Sequence, residues 1–244
     1  MADDAFRYQG DELDLFAKAH HWKAYLADMI GPYLGTDVAE VGAGLGATTR
    51  VLCTDGRRRW LCLEPDGAMA GTLETERAAG RLPACCRVQC ATLRDLPASR
   101  SFDTILYVDV LEHIADDRGE LAEAARRLSP GGRIVVLSPA HSWLFSPFDS
   151  MVGHHRRYTI PSLREITPPS CRVEKALYLD SAGLLASAAN RLLLRSAMPT
   201  EGQIAFWDGC LVPVSRQLDR VLAHRLGKSV LMIWAMGPVT GKVR

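Results

Sequence analysis

The sequence predicts an α/β domain, and three observations support this prediction. An apolar run that ends at Glu40 enters a turn with three glycines and then a helix. Short apolar runs also alternate with a helical stretch through residues 102–138, as strands and helices alternate in such folds. The 244 residues, of which 48% are hydrophobic and 23% charged, suffice for one large domain.

The glycine-rich turn has the sequence VAEVGAGLGATTR and places glycine at positions 42, 44 and 46. Glycine tolerates positive φ and has no Cβ, so backbone N–H groups can approach a ligand closely. A dinucleotide motif needs G-x-G-x-x-G, whereas the spacing here is G-x-G-x-G, two residues after Glu40. A carboxylate repels a pyrophosphate but attracts an ammonium or sulfonium group. The motif therefore favours a cationic nucleotide over NAD, and a glycine-rich turn of any other α/β protein is the alternative.

In these residues the sequence resembles the class I S-adenosylmethionine-dependent methyltransferases. A second stretch, FDTILYVDVLEH followed by PGGRIVVLS, resembles the fourth-strand to fifth-strand segment of the small-molecule members. The resemblance covers residues 38–139 and implies a Rossmann-like, doubly wound sheet of seven strands whose last strand is antiparallel. It also implies S-adenosylmethionine as the cofactor. The phrases GHHRRY, WLF and LDS are similar to a large, mostly uncharacterised bacterial branch, which brings no acceptor with it.

The resemblance implies which residues hold the cofactor. Glu64 ends a predicted strand at residues 60–64 and would accept hydrogen bonds from both ribose hydroxyls. The alternative is that Glu64 is a surface acid ahead of a helix. Family members often have an acid or amide after the third strand, but this sequence has Cys90, Ala91 and Thr92 there, so backbone groups are expected to bind the adenine. The predicted set is Glu40, Gly42, Ala43, Gly44, Gly46, Glu64, Pro65, Met69, Ala91, Thr92, Leu93, Tyr107 and Asp109.

The remaining elements follow in order. A helical stripe over residues 13–30 ends at Gly31 and Pro32. In the resembled family such a helix covers the cofactor, so residues 1–34 are predicted to be an N-terminal cover, with His20 and His21 either facing the site or solvated. A helix begins at Asp116 and Asp117 and is predicted to end at residues 130–132. Residues 172–178 and 229–235 are expected to form the sixth and seventh strands.

A long connection rich in aromatic and histidine residues spans residues 139–158. Such loops without secondary structure of their own are usually functional or disordered, and the aromatic side chains argue against disorder. We predict a lid, with Trp143 and Phe145 lining the acceptor pocket. Thr159 and Pro161 are typical of the start of a helix, so the next helix is predicted to begin there.

About fifty residues separate the last two predicted strands, which normally form a near-hairpin in this class. This insertion, residues 180–227, is predicted to hold helices at 181–195 and 203–226. The apolar positions of the second helix are Ile204, Trp207, Leu211, Leu218 and Leu222. The helical cap is expected to roof the acceptor pocket, to pair two subunits or to touch a membrane surface, in that order of preference.

A base would help catalysis if the acceptor is a hydroxyl, and histidine suits this role near neutral pH. The candidates are His154, then His113, then His141, each of which has simple packing or capping as its alternative. Tyr158 is expected to hydrogen-bond the acceptor. The guanidinium pair that precedes it, at positions 156 and 157, suits an anionic acceptor.

Arg156 and Arg157 have a second interpretation, in which they form ion pairs that hold the lid down, with Asp149 or Glu165 as partners. The anionic-acceptor hypothesis, for example a natural-product or envelope-sugar intermediate, depends on the first interpretation. The two interpretations are equally favoured by the sequence.

The bulk properties exclude several classes. The net charge of +1 gives no basis for nucleic-acid binding, and no apolar stretch reaches the ~20 residues that span a bilayer. No secretory signal is recognisable, so a cytoplasmic protein, monomeric or homodimeric, with a small-molecule acceptor is expected. The seven cysteines lack zinc-like spacing, so no metal is predicted and the thiols are expected to be reduced.

Three functions compete at this point. The favoured one is methyl transfer from S-adenosylmethionine to a small acceptor. A methyltransferase fold that has lost catalysis and acts as a binding module is the second. A nicotinamide oxidoreductase is the third, and the glycine spacing and Glu40 argue against it.

Overall fold

The protein is seen in a computed structural model that describes residues 16–54, 56, 58–189 and 200–237. These residues form a seven-stranded sheet in the order β3-β2-β1-β4-β5-β7-β6. The strands are β1 Asp37–Val41, β2 Arg59–Leu63, β3 Cys86–Gln89, β4 Phe102–Val108, β5 Leu128–Pro139, β6 Cys171–Leu179 and β7 Ser229–Met236. β7 runs antiparallel to both of its neighbours, β5 and β6, and the other strand pairs are parallel. The predicted Rossmann-like sheet with an antiparallel last strand is confirmed.

The sheet is covered on both faces, which explains why its strands are nearly continuous apolar runs. Every residue of β1 is buried, and β7 is buried from Ser229 to Ala235. One core layer contains Trp60 and the other contains Phe102 and Trp234. The covering helices are α1 His20–Ile30, α2 Ala47–Leu52, α3 Gly67–Ala78, α4 Asp117–Arg126, α5 Pro147–Met151, α6 Ile160–Glu165, α7 Ser181–Ala189, α8 Glu201–Phe206 and α9 Val212–Val221.

Helix α4 ends earlier than the sequence predicts. It stops at Arg126, and residues 130–132 belong to the irregular start of β5. The side chain of Arg127 donates to the carbonyl oxygens of Leu96 and Pro97, which draws the chain out of the helix at that point. Gly131 then turns the strand with a φ of +76°.

The N-terminal helix begins at His20, and Gly31–Tyr33 ends it as predicted. Residues 1–15, which include the first part of the predicted cover, lie outside the described residues. His20 and His21 are both exposed. The nitrogen Nδ1 of His21 lies 3.1 Å from Oδ2 of Asp208.

The cap contains α7, α8 and α9, with a π-helical segment at Trp207–Leu211 joining the last two. Ile204 and Trp207 are buried as predicted, but Leu218 and Leu222 are 39% and 37% exposed. The wider π turn rotates the following helix by about one residue. The predicted stripe is therefore wrong in α9, whose buried positions are Val212, Ser215 and Asp219. Residues 190–195 of the first predicted cap helix are outside the described part of the chain.

Buried carboxylates fasten the cap to the rest of the fold. Asp219 accepts hydrogen bonds from the Tyr25 hydroxyl at 2.9 Å and from the backbone N–H of Asp180 at 2.7 Å. Asp180 in turn accepts from Nε1 of Trp207 at 2.7 Å. Asp208 accepts the backbone N–H groups of residues 21 and 22, in the first turn of α1. The cap and α1 are therefore one packed unit.

Within the described ranges, no helix combines the length and the hydropathy needed to cross a membrane.

Candidate functional site

The candidate site lies at the carboxyl ends of β1 and β4. These strands are neighbours, and their connections lead to opposite sides of the sheet, to β2 and to β5. Such a switch in strand order opens a crevice outside the strand ends, where α/β sheets bind their ligands. Gly42 and Asp109 are the first residues after the two strands.

The glycine loop follows β1 and requires glycine for steric reasons. Gly42, Gly44 and Gly46 have φ values of +66°, +55° and +76°. A Cβ on Gly42 would lie 2.6 Å from Cγ2 of Val110. The N–H of Ala43 donates to the carbonyl of Leu63 at 3.0 Å, which fixes the loop to the end of β2.

Glu64 follows β2 and joins its exit to the glycine loop. Its Oε2 accepts from the N–H of Gly44 at 2.8 Å, and its Oε1 accepts from the N–H of Asp66 at 2.9 Å. Burial raises the pKa of this carboxyl. Each carboxylate oxygen can accept about two hydrogen bonds, so one position on each remains for a ribose hydroxyl. The residues present therefore fit a nucleoside at this edge of the sheet.

Glu40 is buried beneath the loop. Its Oε2 accepts from the hydroxyl of Thr49 at 2.6 Å and from Nε1 of Trp60 at 2.7 Å. Burial raises the pKa of Glu40 to about 7, against the opposing effect of these two donors. Oε2 of Glu40 therefore links α2 to β2 through Thr49 and Trp60. Oε1 is the one carboxylate oxygen of Glu40 that could still contact a ligand in the crevice. Direct attraction between Glu40 and a sulfonium stays a prediction.

The other predicted cofactor residues lie around the same edge, with different access. Asp66 caps α3, which carries Met69, and Pro65 and Met69 are partly buried. Thr92 bonds to Asp95 and is exposed. The side chains of Ala91, Leu93 and Tyr107 are buried in the core, and the Tyr107 hydroxyl donates to Glu120 at 2.8 Å. Only backbone groups of these last three remain available to a ligand.

Asp109 lies in the crevice with a φ of +54°. It keeps an exposed surface, yet its surroundings are crowded enough that desolvation raises its pKa to about 6. The positive charges of His154, Lys228 and Lys23 oppose that shift of the pKa of Asp109. Burial lowers the pKa of Lys23 to about 8. The Nζ of Lys228 lies 3.7 Å from the centre of the Trp207 ring.

The two lysines are functional candidates that the sequence analysis missed. They come from α1 and from the residue before β7, and no local pattern marks either of them. Burial lowers the pKa of both lysines, and this burial depends on how the cap packs against α1. Glu112 and Asp149 were also missed as site residues for the same reason.

The lid at residues 139–158 contains secondary structure, contrary to the prediction of a structureless loop. Ser142–Leu144 is a 3₁₀ turn, and α5 follows with Ser146 and Asp149 forming its capping box. A bridge between Ala140 and Tyr158 closes the segment. Trp143 is 51% exposed, and Phe145 is partly buried. Whether these two rings line an acceptor pocket stays a prediction.

The two preferred candidates for a base meet where the lid contacts the turn after β4. The rings of His113 and His154 have centroids 4.6 Å apart in an edge-to-face arrangement. Nδ1 of His154 lies 2.8 Å from Oδ1 of Asp149, and Nε2 lies 3.9 Å from Oε1 of Glu112. Burial is the largest of the effects that lower the pKa of His113 to about 4, and His154 and His155 contribute to the same shift. His113 is therefore neutral near pH 7.

The third candidate base, His141, makes contacts that stabilise the fold. His141 has a φ of +64°, stacks on Tyr178 with ring centroids 4.9 Å apart, and places Nε2 3.0 Å from the carbonyl of Gly227. This contact ties the lid to the segment before β7. The predicted role of His141 as a base has no geometric support here.

The arginines of the lid form ion pairs within the protein. Arg157 bonds to both carboxylate oxygens of Asp149, at 2.7 and 2.9 Å. Arg156 pairs with Asp117 at 2.7 Å, and the hydroxyl of Tyr158 donates to the same carboxylate at 2.8 Å. Of the two interpretations offered by the sequence, these contacts match the one in which the arginines hold the lid down. Asp149 is a predicted partner, whereas Asp117 replaces the predicted Glu165.

A group of thiols lies at the opposite edge of the sheet. Sγ of Cys53 is 3.0 Å from Sγ of Cys85 and 3.6 Å from Sγ of Cys86, and all three cysteines are free. Cys86 begins β3, so the group lies at the amino ends of the parallel strands, away from the crevice. The sequence spacing did not indicate this group, because Cys53 comes from the end of α2.

Comparisons with known proteins agree on one fold. Residues 39–136 match a family model described as a methyltransferase domain. The demethylmenaquinone methyltransferase of Tropheryma whipplei is 35% identical over 161 residues, which are 62% of this chain and 61% of that relative. The chain thus spans about three fifths of the length of that relative.

Two solved structures illustrate the breadth of the fold. A geranyl diphosphate methyltransferase in complex with S-adenosylmethionine has a TM-score of 0.65 at 15% identity, over 97% of this chain and 93% of that one. The cyclase SpnF has a TM-score of 0.59 at 16% identity, over 88% and 81%. At such low identity the likeness establishes the fold and leaves the reaction open.

Proposed function

We propose that the chain is a class I S-adenosylmethionine-dependent methyltransferase that transfers a methyl group from S-adenosylmethionine to a small-molecule acceptor. The observation that supports this most is the link between Gly44 and Glu64. It joins the glycine loop and the acid after β2 into one edge, which opens onto the crevice beside Asp109. S-adenosylmethionine is the cofactor of this family.

In this proposal the glycine loop and Glu64 bind the cofactor, and the lid covers the acceptor. The loop from Gly42 to Gly46 presents backbone groups to the cofactor, and Glu64 holds the ribose hydroxyls. When bound, the cofactor supplies an activated methyl group on a sulfonium. The protein then has to align the acceptor with that methyl and exclude water, and proximity of this kind accelerates reactions strongly. The lid is the element that would close over the acceptor.

We propose a hydroxyl-bearing acceptor rather than one selected for its anionic group. The anionic-acceptor hypothesis depended on Arg156 and Arg157, and both guanidinium groups are engaged with carboxylates of the protein. A hydroxyl must lose its proton as the new bond forms. Asp109, the first residue after β4, lies in the crevice, where such a proton would have to be removed.

Calorimetry separates the three functions that the sequence left open. S-adenosylhomocysteine and S-adenosylmethionine are expected to bind the full chain with one site, whereas NAD is not. Glu64→Ala should weaken S-adenosylhomocysteine binding about tenfold or more, since hydrogen bonds to a charged group contribute roughly 1.5–3 kcal/mol. Glu74→Ala is the matched control, because that exposed acid lies on α3 and pairs with Arg77. Equal binding by both variants would contradict the assigned ribose site.

Turnover is then tested by the release of S-adenosylhomocysteine with a panel of phenols, catechols and quinols. Demethylmenaquinone, in its reduced form, belongs in the panel because the Tropheryma relative is named for it. Tight product binding without turnover on the whole panel would favour the binding-module alternative. Binding of NAD alone would overturn the assignment entirely.

A further inference from the structure

Glu112, His113 and His154 converge beside the crevice. One ligand atom from each side chain lies within 4.8 Å of the others. We propose that these three residues bind a divalent first-row transition-metal cation, with Asp149 as the residue that orients His154. Glu112 and His113 follow β4, and His154 comes from the lid, so the site would join the sheet to the lid.

The carboxylate of Glu112 provides the first argument. The residue is fully buried, and its Oε2 accepts from the hydroxyl of Ser138 at 2.9 Å. Among the residues that the structure describes, none provides a hydrogen-bond partner for its buried Oε1. Leaving a buried acceptor unsatisfied costs roughly 1–3 kcal/mol, and more for a charged group. A cation at Oε1 would supply the missing partner.

The orientation of His154 provides the second argument. Asp149 lies 2.8 Å from Nδ1, so this nitrogen carries the proton and donates it to the carboxylate. The lone pair is then on Nε2, which lies 3.9 Å from the unsatisfied Oε1 of Glu112. A lone pair and a carboxylate oxygen repel each other unless a proton or a cation lies between them, and burial, which raises the pKa of Glu112, also favours the proton. A carboxylate that orients a histidine by its other ring nitrogen is the usual arrangement behind a metal ligand.

Asp149 is itself held in place. It is fully buried and accepts both hydrogen bonds of Arg157 and the backbone N–H of Ser146. Its position does not depend on His154 alone. The arginine in the lid thus acts on the proposed cation site through Asp149, and this explains its ion pair better than acceptor binding does.

His113 completes the set. It bonds to the backbone of Gly153, and its ring meets the ring of His154 edge to face, with centroids 4.6 Å apart. The neutral imidazole is the form that binds metals. One ring nitrogen of His113 lies within 4.8 Å of the ligand atoms of Glu112 and His154.

The donor set indicates the class of cation. Two imidazoles and one carboxylate suit Mn²⁺, Fe²⁺, Co²⁺ or Zn²⁺ better than Ca²⁺ or Mg²⁺, which prefer oxygen ligands. With bonds of about 2.1 Å, ligand atoms of a tetrahedral site lie about 3.4 Å apart. The distance of 3.9 Å between Nε2 and Oε1 reaches this value with a small side-chain rotation.

A catalytic role for the cation depends on the proposed function. Three protein ligands leave coordination positions open, and a hydroxyl acceptor in one of them would have a lowered pKa. Its proton would pass to solvent, and the new O–C bond would form as the C–S bond breaks and the sulfonium becomes a neutral thioether. Cation binding itself does not require this step.

Mn²⁺ is the probe of choice for a direct test, because soft thiolates, such as the group at Cys53, do not select it. The full chain is stripped with a chelator and titrated with Mn²⁺ by calorimetry. One site per chain is expected, together with a rise in the melting temperature that grows with cation concentration. Glu112→Gln and, as a second variant, His113→Gln should weaken binding at least tenfold.

His155→Ala is the matched control, since this neighbouring histidine is exposed, and it should bind Mn²⁺ as the parent protein does. Asp149→Asn tests positioning: loss of such a partner typically costs 10–100-fold in metal affinity. Absence of a stoichiometric site in the stripped parent, or unchanged affinity in Glu112→Gln and His113→Gln, would overturn the inference. S-adenosylhomocysteine binding, measured on the same samples, reports separately on the proposed function.

Discussion

Replacing Gly42 by alanine tests the glycine loop most directly, because the structure predicts two separate costs. The residue has a φ of +66°, and left-handed backbone costs a residue with a side chain roughly 1–2 kcal/mol. Its new Cβ would also lie 2.6 Å from Cγ2 of Val110 and 3.0 Å from Cγ1, and such overpacking costs about 1–3 kcal/mol. The expected loss of stability is therefore about 2–5 kcal/mol.

Gly80 provides a control that isolates the first cost. Its φ is +73°, but no atom of the described part of the chain lies within 4 Å of a Cβ built there. Gly80→Ala should lose only about 1–2 kcal/mol. In a chain of this size 1 kcal/mol shifts the melting temperature by about 2–4 °C, so the two variants are distinguishable by thermal unfolding.

Ligand binding provides the second readout for the same pair. Relief of the contact with Val110 displaces the loop in Gly42→Ala, so S-adenosylhomocysteine should bind at least tenfold more weakly, whereas Gly80→Ala should bind it normally. If both variants unfold at the same temperature and both bind the ligand as the parent does, the steric account of the loop is refuted.

Three further predictions concern buried carboxylates and the lid. The folded pKa of Glu40, about 7, lies above its unfolded value, so its contribution to stability is complete below pH ~4.3 and lost as pH rises through 7. As the pH rises from 5 to 8, the free energy of unfolding of Glu40→Gln, measured in urea, should therefore increase by on the order of 2–3 kcal/mol relative to that of the parent protein. If the stabilities of the two proteins changed in parallel with pH, this would contradict the prediction. Asp219→Asn should lower the free energy of unfolding by about 1–3 kcal/mol, because an amide nitrogen cannot accept the hydrogen bonds that the carboxylate accepts. Asp28→Asn is the control: it removes an exposed ion pair with Arg216 and should lower the free energy of unfolding by less than ~1 kcal/mol. Trp143→Ala should slow turnover and leave S-adenosylhomocysteine binding unchanged, and weakened cofactor binding would remove this ring from the acceptor side.

Local sequence patterns placed the glycine loop and Glu64 at the ends of neighbouring strands, and their contact agrees with this, while cofactor binding by them stays a prediction. The glycine loop and Glu64 belong to consecutive strand–turn–helix units, in which each residue's place follows from its distance along the chain to a strand end. Glu40 shows where this reasoning stops. Its position at the end of β1 was predictable, but its bond to Trp60 comes from the neighbouring strand.

The lid and cap were harder to predict, because their contacts join distant parts of the chain. The sequence alone left the roles of Arg156 and Arg157 open, and the packing of the lid decided for ion pairs with Asp117 and Asp149. The apolar stripe of α9 failed because a π turn changed the register of the helix, and periodicity assumes a constant register.

The sequence by itself determined the order of strands and helices, the glycine turn and the acid after the second strand, since each depends on residues close together in the chain. Only the tertiary structure decided which side chains meet at the crevice. Glu112 and His154 come from a strand end and a lid, and Lys23 and Lys228 from opposite ends of the described chain. The charges of His154, Lys23 and Lys228 act on Asp109 because the fold brings these distant parts of the chain together around it.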